Sequence, residues 1–150
     1  MNQVPINSYA GIYYRRIMSY MKKAFKLIGL TFEEGVILQN VLLNPNTNQD
    51  QIAKALAFDT AAVARALKEL EEKKYITRKI DINNQRKKIV EISKKGEEIA
   101  LKVNMIMENW DQEIFKDMNN TKANKVIDNM RLLKESTDNL DINDLVNKLK

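Results

Sequence analysis

The stretch Gln51–Gly96, QIAKALAFDTAAVARALKELEEKKYITRKIDINNQRKKIVEISKKG, changes its hydrophobic period half-way along. The first part repeats at helical spacing: Ile52, Ala53 and Leu56, then Val63, Leu67 and Leu70. Phe58-Asp59-Thr60 interrupts it, and Asp59 or Thr60 can cap the second of the two helices. The second part holds two runs rich in β-branched residues, Tyr75–Ile80 and Lys87–Ile92. The polar run Asp81–Arg86 between them predicts a hairpin with a loop longer than two residues. A short helix, a tight turn, a second helix ending near Lys73-Lys74 and then a basic hairpin make a winged helix-turn-helix. Its small core is read as Ala53, Leu56, Val63 and Leu67, the alanine offering no bulk where the helices cross.

Upstream, Tyr9, Ile12, Tyr13, Ile17, Tyr20, Met21, Ala24 and Ile28 recur at three- and four-residue spacing, which predicts a helix over Ile6–Ile28 closed by Gly29. Thr31 with Glu34 has the spacing of a capping box for a helix through Val36, Ile37, Val41 and Leu42, ending before Asn44-Pro45. Asn46-Thr47-Asn48 reads as a turn, with Asn48 capping the next helix, about Gln49–Ala57. Downstream, Ser93 can cap a long helix to about Met118, striped by Ile99, Val103, Ile106, Trp110 and Ile114. Thr121 is read as the cap of a last helical region through Val126, Met130, Leu133 and Leu140, and Asp141 as its restart. The expected fold class is mainly α with a small β-hairpin wing. In this reading residues 31–96 form the winged helix-turn-helix, and residues 1–30 and 97–150 form a helical dimerisation region of one continuous domain.

Composition sets the limits of function. The 150 residues include four Gly and two Pro, too few for the frequent turns of an all-β domain. Cys 0 and His 0 exclude disulfide scaffolds, thiolate chemistry, zinc fingers and Ser-His-Asp triads. No cofactor is expected. No run approaches the roughly 18 apolar residues of a membrane span, and MNQVPINSYAG has neither the basic start nor the apolar centre of a signal peptide. The expected location is cytoplasmic, with no membrane partner. The adjacent pairs Glu33-Glu34, Glu71-Glu72 and Glu97-Glu98 project about 100° apart on a helix and do not converge as catalytic carboxylates do, so no enzyme is expected.

The net charge of +5 is unevenly placed. Residues 48–96 carry 12 basic and 7 acidic groups, whereas residues 97–150 carry 8 and 11. A polyanion would therefore dock on the middle third. The second helix of the motif offers Thr60, Ala61, Ala62, Ala64, Arg65 and Lys68 as its exposed side. Arg65 is the one side chain there able to make a bidentate contact to guanine in the major groove. The alanines can touch thymine methyls; alternatively they are spacers of a helix packed on both faces. On the hairpin, Arg78, Lys79, Asn84, Arg86, Lys87 and Lys88 are candidate contacts, with Arg86 suited to a narrow A·T-rich minor groove and the lysines to phosphates. The alternative is a solvated hairpin whose charges prevent edge pairing.

On these residues the chain resembles the MarR family of bacterial transcriptional regulators. Leu70-Glu71, Arg78, Arg86 and Ile92-Ser93-Lys94-Lys95-Gly96 match the family pattern in place. It departs at Asn84, where the family's wing-tip Asp-to-Arg ion pair becomes a neutral hydrogen bond, at Gln85, often a basic position, and at Lys74 and Ala57, where glycine is usual. The resemblance implies a homodimer reading a pseudo-palindromic operator in double-stranded DNA as a repressor, with half-sites about 34–36 Å apart, and the Lys-over-Arg and Asn-rich usage of the chain points to an A·T-rich operator. It also implies release by a small organic effector, in a pocket drawn from Tyr13, Arg16, Ile17, Met21, Val36, Met107 and Trp110; the alternative is that these are core. Without Cys and His, thiol switching and His/Cys metal sensing are excluded. The competing reading is a winged-helix protein-interaction module that does not read DNA.

Overall fold

The computed structural model describes residues 5–150, so residues 1–4 of the N-terminal segment lie outside the described residues. The chain falls into two compact units, divided between Trp110 and Asp111. The first contains α1 (Ile6–Leu27), α2 (Phe32–Leu43), β1 (Thr47–Asn48), α3 (Gln49–Leu56), α4 (Thr60–Glu72), β2 (Ile76–Ile80), β3 (Lys88–Ile92) and α5 (Lys94–Phe115) as far as Trp110. The second contains α6 (Asn120–Thr137) and α7 (Ile142–Asn147).

Local chemistry places the helix starts. Thr31 Oγ1 accepts from the Glu34 amide at 3.2 Å, and the Glu34 carboxylate accepts from the Thr31 amide at 2.8 Å. Asn48 and Gln51 make the same reciprocal box at the start of α3, at 3.0 and 3.1 Å. Of the two candidate caps for α4 it is Asp59 that accepts, from the Ala62 amide at 2.8 Å. Gly29 ends α1 with φ 75°. Ala57 ends α3 with φ 52° and Lys74 follows α4 with φ 63°, so a residue with a Cβ occupies the left-handed region just after each helix of the α3–α4 motif.

The N-terminal unit has one continuous core. Phe25, Ile37, Leu38, Ile52, Val63, Leu67, Leu70, Ile76, Val90 and Val103 are its largest buried side chains. Phe25 was not on the apolar stripe read from α1, which ran through Ala24. It is buried because α2 presents Gly35 to it: a Cβ there would stand 2.5 Å from the Phe25 ring. Glycine thus admits an aromatic ring against the α2 backbone where any other residue would displace it. Tyr9, Ile12 and Tyr13, from the same stripe, are exposed. Within the helix-turn-helix core Ala53, Val63 and Leu67 are buried, while Leu56 is half-buried at its edge and Ile52 fills the centre.

Asn46-Thr47-Asn48 is more than a turn. Thr47 and Asn48 pair with Val90 and Ile89, making β3 the centre of a three-stranded antiparallel sheet in the order β1-β3-β2. Two residues are too few to show alternation, so only the tertiary pairing marks them as strand. The β2–β3 register runs from Ile76 opposite Ile92 to Ile80 opposite Lys88. Ser93 then joins hairpin to helix: its Oγ accepts from the Gly96 amide at 3.0 Å and donates to the Lys74 carbonyl at 2.7 Å.

In the C-terminal unit α6 begins with Asn119, not Thr121, accepting from the Lys122 amide at 2.9 Å, because asparagine two residues earlier reaches the free amides first. Asp141 caps α7, as its position implied. No residue of α6 or α7 is buried. Met130, Leu133, Leu145 and Val146 are among their exposed apolar side chains, and Leu140 between the two helices is exposed as well.

One buried charge links the ends of the N-terminal unit's helices. Glu34 is only 2% exposed, and its carboxylate takes the Lys73 ammonium at 2.8 and 2.9 Å; that ammonium also donates to the Gly29 carbonyl at 3.0 Å. The Lys73 side chain itself reaches solvent. Removing the lysine strands a buried carboxylate, whereas neutralising the glutamate leaves a cation that water can reach. We therefore expect Lys73→Met to cost about 3 kcal/mol and Glu34→Gln only about 1 kcal/mol in urea denaturation; equal losses would contradict this asymmetry. Lys74→Gly should raise stability by about 1 kcal/mol by relieving the left-handed backbone, and an unchanged or lower thermal midpoint would show that no strain is held there.

Candidate nucleic-acid interface

The first helix of the motif, α3, holds α4 by its buried side. Val63, Ala66, Leu67 and Leu70 of α4 face the core, which turns Ala61, Arg65 and Lys68 outward, with Thr60 exposed at the N-terminus. Ala62 and Ala64 are half-buried rather than exposed. They sit about 60° and 100° round the helix from Arg65, at the edges of the open stripe. Arg65 borders a concavity of about 330 Å³ toward α2, with Thr31, Glu33, Ala62 and Glu69. Among the described residues it makes no ion pair within 4 Å.

The wing is a tied loop. The Asp81 amide donates to the Lys87 carbonyl at 2.8 Å, and the Lys87 amide to the Asn84 carbonyl at 2.9 Å. Asp81 Oδ1 accepts from the Asn83 amide at 2.9 Å, and Asn84 Oδ1 from the Arg86 amide at 3.2 Å. The neutral bond expected at Asn84 therefore goes to the Arg86 main chain, leaving the guanidinium to solvent.

The wing cations divide into two groups. Arg78 is half-buried against α4, its Nε donating to the Glu71 carboxylate at 3.0 Å and its Nη2 to the same oxygen. Lys79 pairs with Glu91 at 2.6 Å and Lys87 with Asp50 of α3 at 3.6 Å. Arg86 and Lys88 are exposed and make no ion pair among the described residues. Asn48, Gln49 and Asp50 at the start of α3, Arg78 and Val90 of the sheet, and Arg86, Lys87 and Lys88 line a concavity of about 360 Å³ between motif and wing. The acidic partners Asp50, Glu71 and Glu91 were not among the residues singled out for this site. Glu71 and Arg78 are both legible as motif positions, but their contact depends on β2 returning beside α4.

The candidate effector residues are only partly brought together. Trp110 Nε1 donates to the Tyr13 hydroxyl at 3.3 Å, with ring centroids 6.2 Å apart. Tyr20, not included among them, stacks closer to Trp110, at 5.2 Å, and its hydroxyl donates to the Ile106 carbonyl and accepts from Asn109. Met21 belongs to the core, Ile17, Val36 and Met107 pack half-buried against it, and Arg16 is exposed.

Residues 30–88 match the family model described as MarR family. The HTH-type transcriptional regulator BilQ of Clostridioides difficile is 25% identical over 118 residues, covering 77% of this chain and 78% of that protein. The crystal structure of MarR superposes with a TM-score of 0.77 at 27% identity, over 91% of this chain and 94% of that one. A MarR family regulator from Listeria monocytogenes, solved in complex with a 26-mer DNA, has the same fold, with a TM-score of 0.84 at 22% identity and coverage of 92% and 91%. The curated relative is a transcriptional regulator and not an enzyme.

The hydrogen bond from Arg78, with its charge, holds the Glu71 carboxyl below the ordinary glutamate range, outweighing the opposing effect of burial. Stability from this pair is complete above the ordinary glutamate pKa and is lost as the pH falls through the lowered one. Glu71→Gln should remove that part of the acid-side loss, less than about 1 kcal/mol because both side chains reach solvent. Denaturation midpoints measured across the acid range check it, and an acid limb unchanged in the variant would refute the linkage.

Proposed function

We propose that this chain, whose residues 30–88 match the MarR family model, is a homodimeric transcriptional regulator that reads pseudo-palindromic, A·T-rich double-stranded DNA and acts as a repressor released by an organic effector. Residues 31–96 bind DNA in this reading, and residues 1–30 with 97–150 dimerise. The observation that carries it is the placement of exposed cations on the motif and wing: Arg65 on the open side of α4, and Arg86 and Lys88 on the wing, none of which makes an ion pair among the described residues.

Arg65 reads guanine in the major groove, with Thr60 and Lys68 at phosphates or base edges and Ala61 against thymine methyls. Arg86 enters the flanking minor groove, where A·T tracts concentrate negative potential. Lys68, Lys79, Lys87 and Lys88 contact phosphates; the first three leave exposed ion pairs to do so, at little cost. Arg78 orients the wing on α4 and does not touch DNA. The exposed apolar side chains of α1 (Tyr9, Ile12) and of α6 and α7 (Met130, Leu133, Leu145, Val146) support dimerisation. The aromatic group of Tyr13, Tyr20 and Trp110 supports an aromatic effector.

Fluorescence polarisation on A·T-rich duplex at several salt concentrations tests the reading. Affinity should fall with salt at a log–log slope of roughly −0.9 per phosphate neutralised. The complete absence of salt-dependent binding at low ionic strength would favour the protein-interaction module instead. Arg65→Ala should lose about 1–3 kcal/mol of binding and relax base preference at one position per half-site, while Arg86→Ala should weaken binding chiefly where the flank is A·T-rich. Wild-type affinity in either variant removes that residue from the interface. Leu133→Glu should lower the mass measured by sedimentation from dimer to monomer. An aromatic anion that quenches the single tryptophan, Trp110, and lowers DNA affinity together would identify the effector class.

A further inference from the structure

The wing tip carries a feature that charge does not account for. Ile82 is 94% exposed and Ile80 64% exposed. A lone exposed isoleucine is ordinary, but this one stands on a loop whose position is set by hydrogen bonds on both sides: the Asn83 and Asn84 amides donate to Asp81, and the Asp81 amide to Lys87. The side chain is therefore held away from the domain and has no apolar neighbour to turn back upon within that loop, whose remaining residues are Asp81, Asn83, Asn84, Gln85 and Arg86. Ile80, at the end of β2, shares the strand face of Arg78 and lies opposite Lys88, residues that line the concavity between motif and wing.

The tip thus combines two apolar side chains with the unpaired cations Arg86 and Lys88. A DNA minor groove has the matching chemistry, with negative potential at its floor and walls of deoxyribose C–H groups. We propose that Ile82 is a contact residue of the wing, packing on the deoxyribose wall of the minor groove beside the Arg86 guanidinium. A narrow groove brings both walls within reach of one side chain, so the contact selects for groove width and not for base identity. This role rests on the DNA-binding reading given above.

The test measures polarisation affinities of the full-length protein for two duplexes that share half-sites but carry either an A-tract or a G·C run where the wing lies. Wild type, Ile82→Ala and Ile82→Lys are compared at three salt concentrations. Ile82→Ala should bind the A-tract duplex about three- to tenfold more weakly, with an unchanged salt slope because no phosphate contact is lost, and should bind the G·C duplex nearly as wild type does. Ile82→Lys should lose the A-tract preference while its salt slope steepens. Circular dichroism melting should be unchanged in both variants, since the side chain is outside the core. If wild type binds and Ile82→Ala matches it on both duplexes, the contact is overturned, and a protein partner becomes the better occupant of the tip. If wild type binds neither duplex, the DNA-binding reading fails and the contact with it.

Discussion

A single carboxylate, that of Glu34, closes three connections in the N-terminal unit. It completes the cap of α2, it accepts the ammonium of Lys73 just past the end of α4, and through that ammonium it anchors the Gly29 carbonyl in the α1–α2 turn. Such a buried charge is tolerable only because every oxygen has a donor. The consequence is geometric. The C-terminal end of α4 is held against the start of α2, while the N-terminal end is held by Asp59 and the close α3 crossing at Ala53. The open stripe through Ala61, Arg65 and Lys68 is thereby presented at one orientation. The Ser93 hydroxyl does related work on the wing side, tying the start of α5 to the turn that follows α4.

Charge in this protein is divided between holding the fold and facing a partner. Arg78, Lys79 and Lys87 meet Glu71, Glu91 and Asp50, and these contacts join β2 to α4, strand to strand, and wing to α3. On the recognition helix and the wing, Arg65, Arg86 and Lys88 are exposed and make no ion pair among the described residues. A modest net charge can serve a polyanion where such cations stand on the elements that project from the motif.

Much of this was legible along the chain. Helix starts depend on one side chain reaching an amide three residues on, so Thr31, Asn48 and Asp141 could be identified by spacing alone. The hairpin was legible because β-branched runs flank a polar loop. The misreadings share a cause. Phe25 was missed because its burial depends on Gly35 of another helix; Thr47-Asn48 looked like a turn because its strand character exists only against β3; the pairing of Arg78 with Glu71 was not legible because the two meet only after the chain reverses.

The sequence by itself determined the fold class, the order of elements and the position of the wing, since period, capping and turn chemistry act over a few residues. Tertiary structure alone decided which cations stay free, because pairing with a carboxylate is a matter of distance in space. It also decided that Ala62 and Ala64 sit at the margin of the open stripe and that Ile82 stands clear of the core, since exposure is settled by what packs alongside.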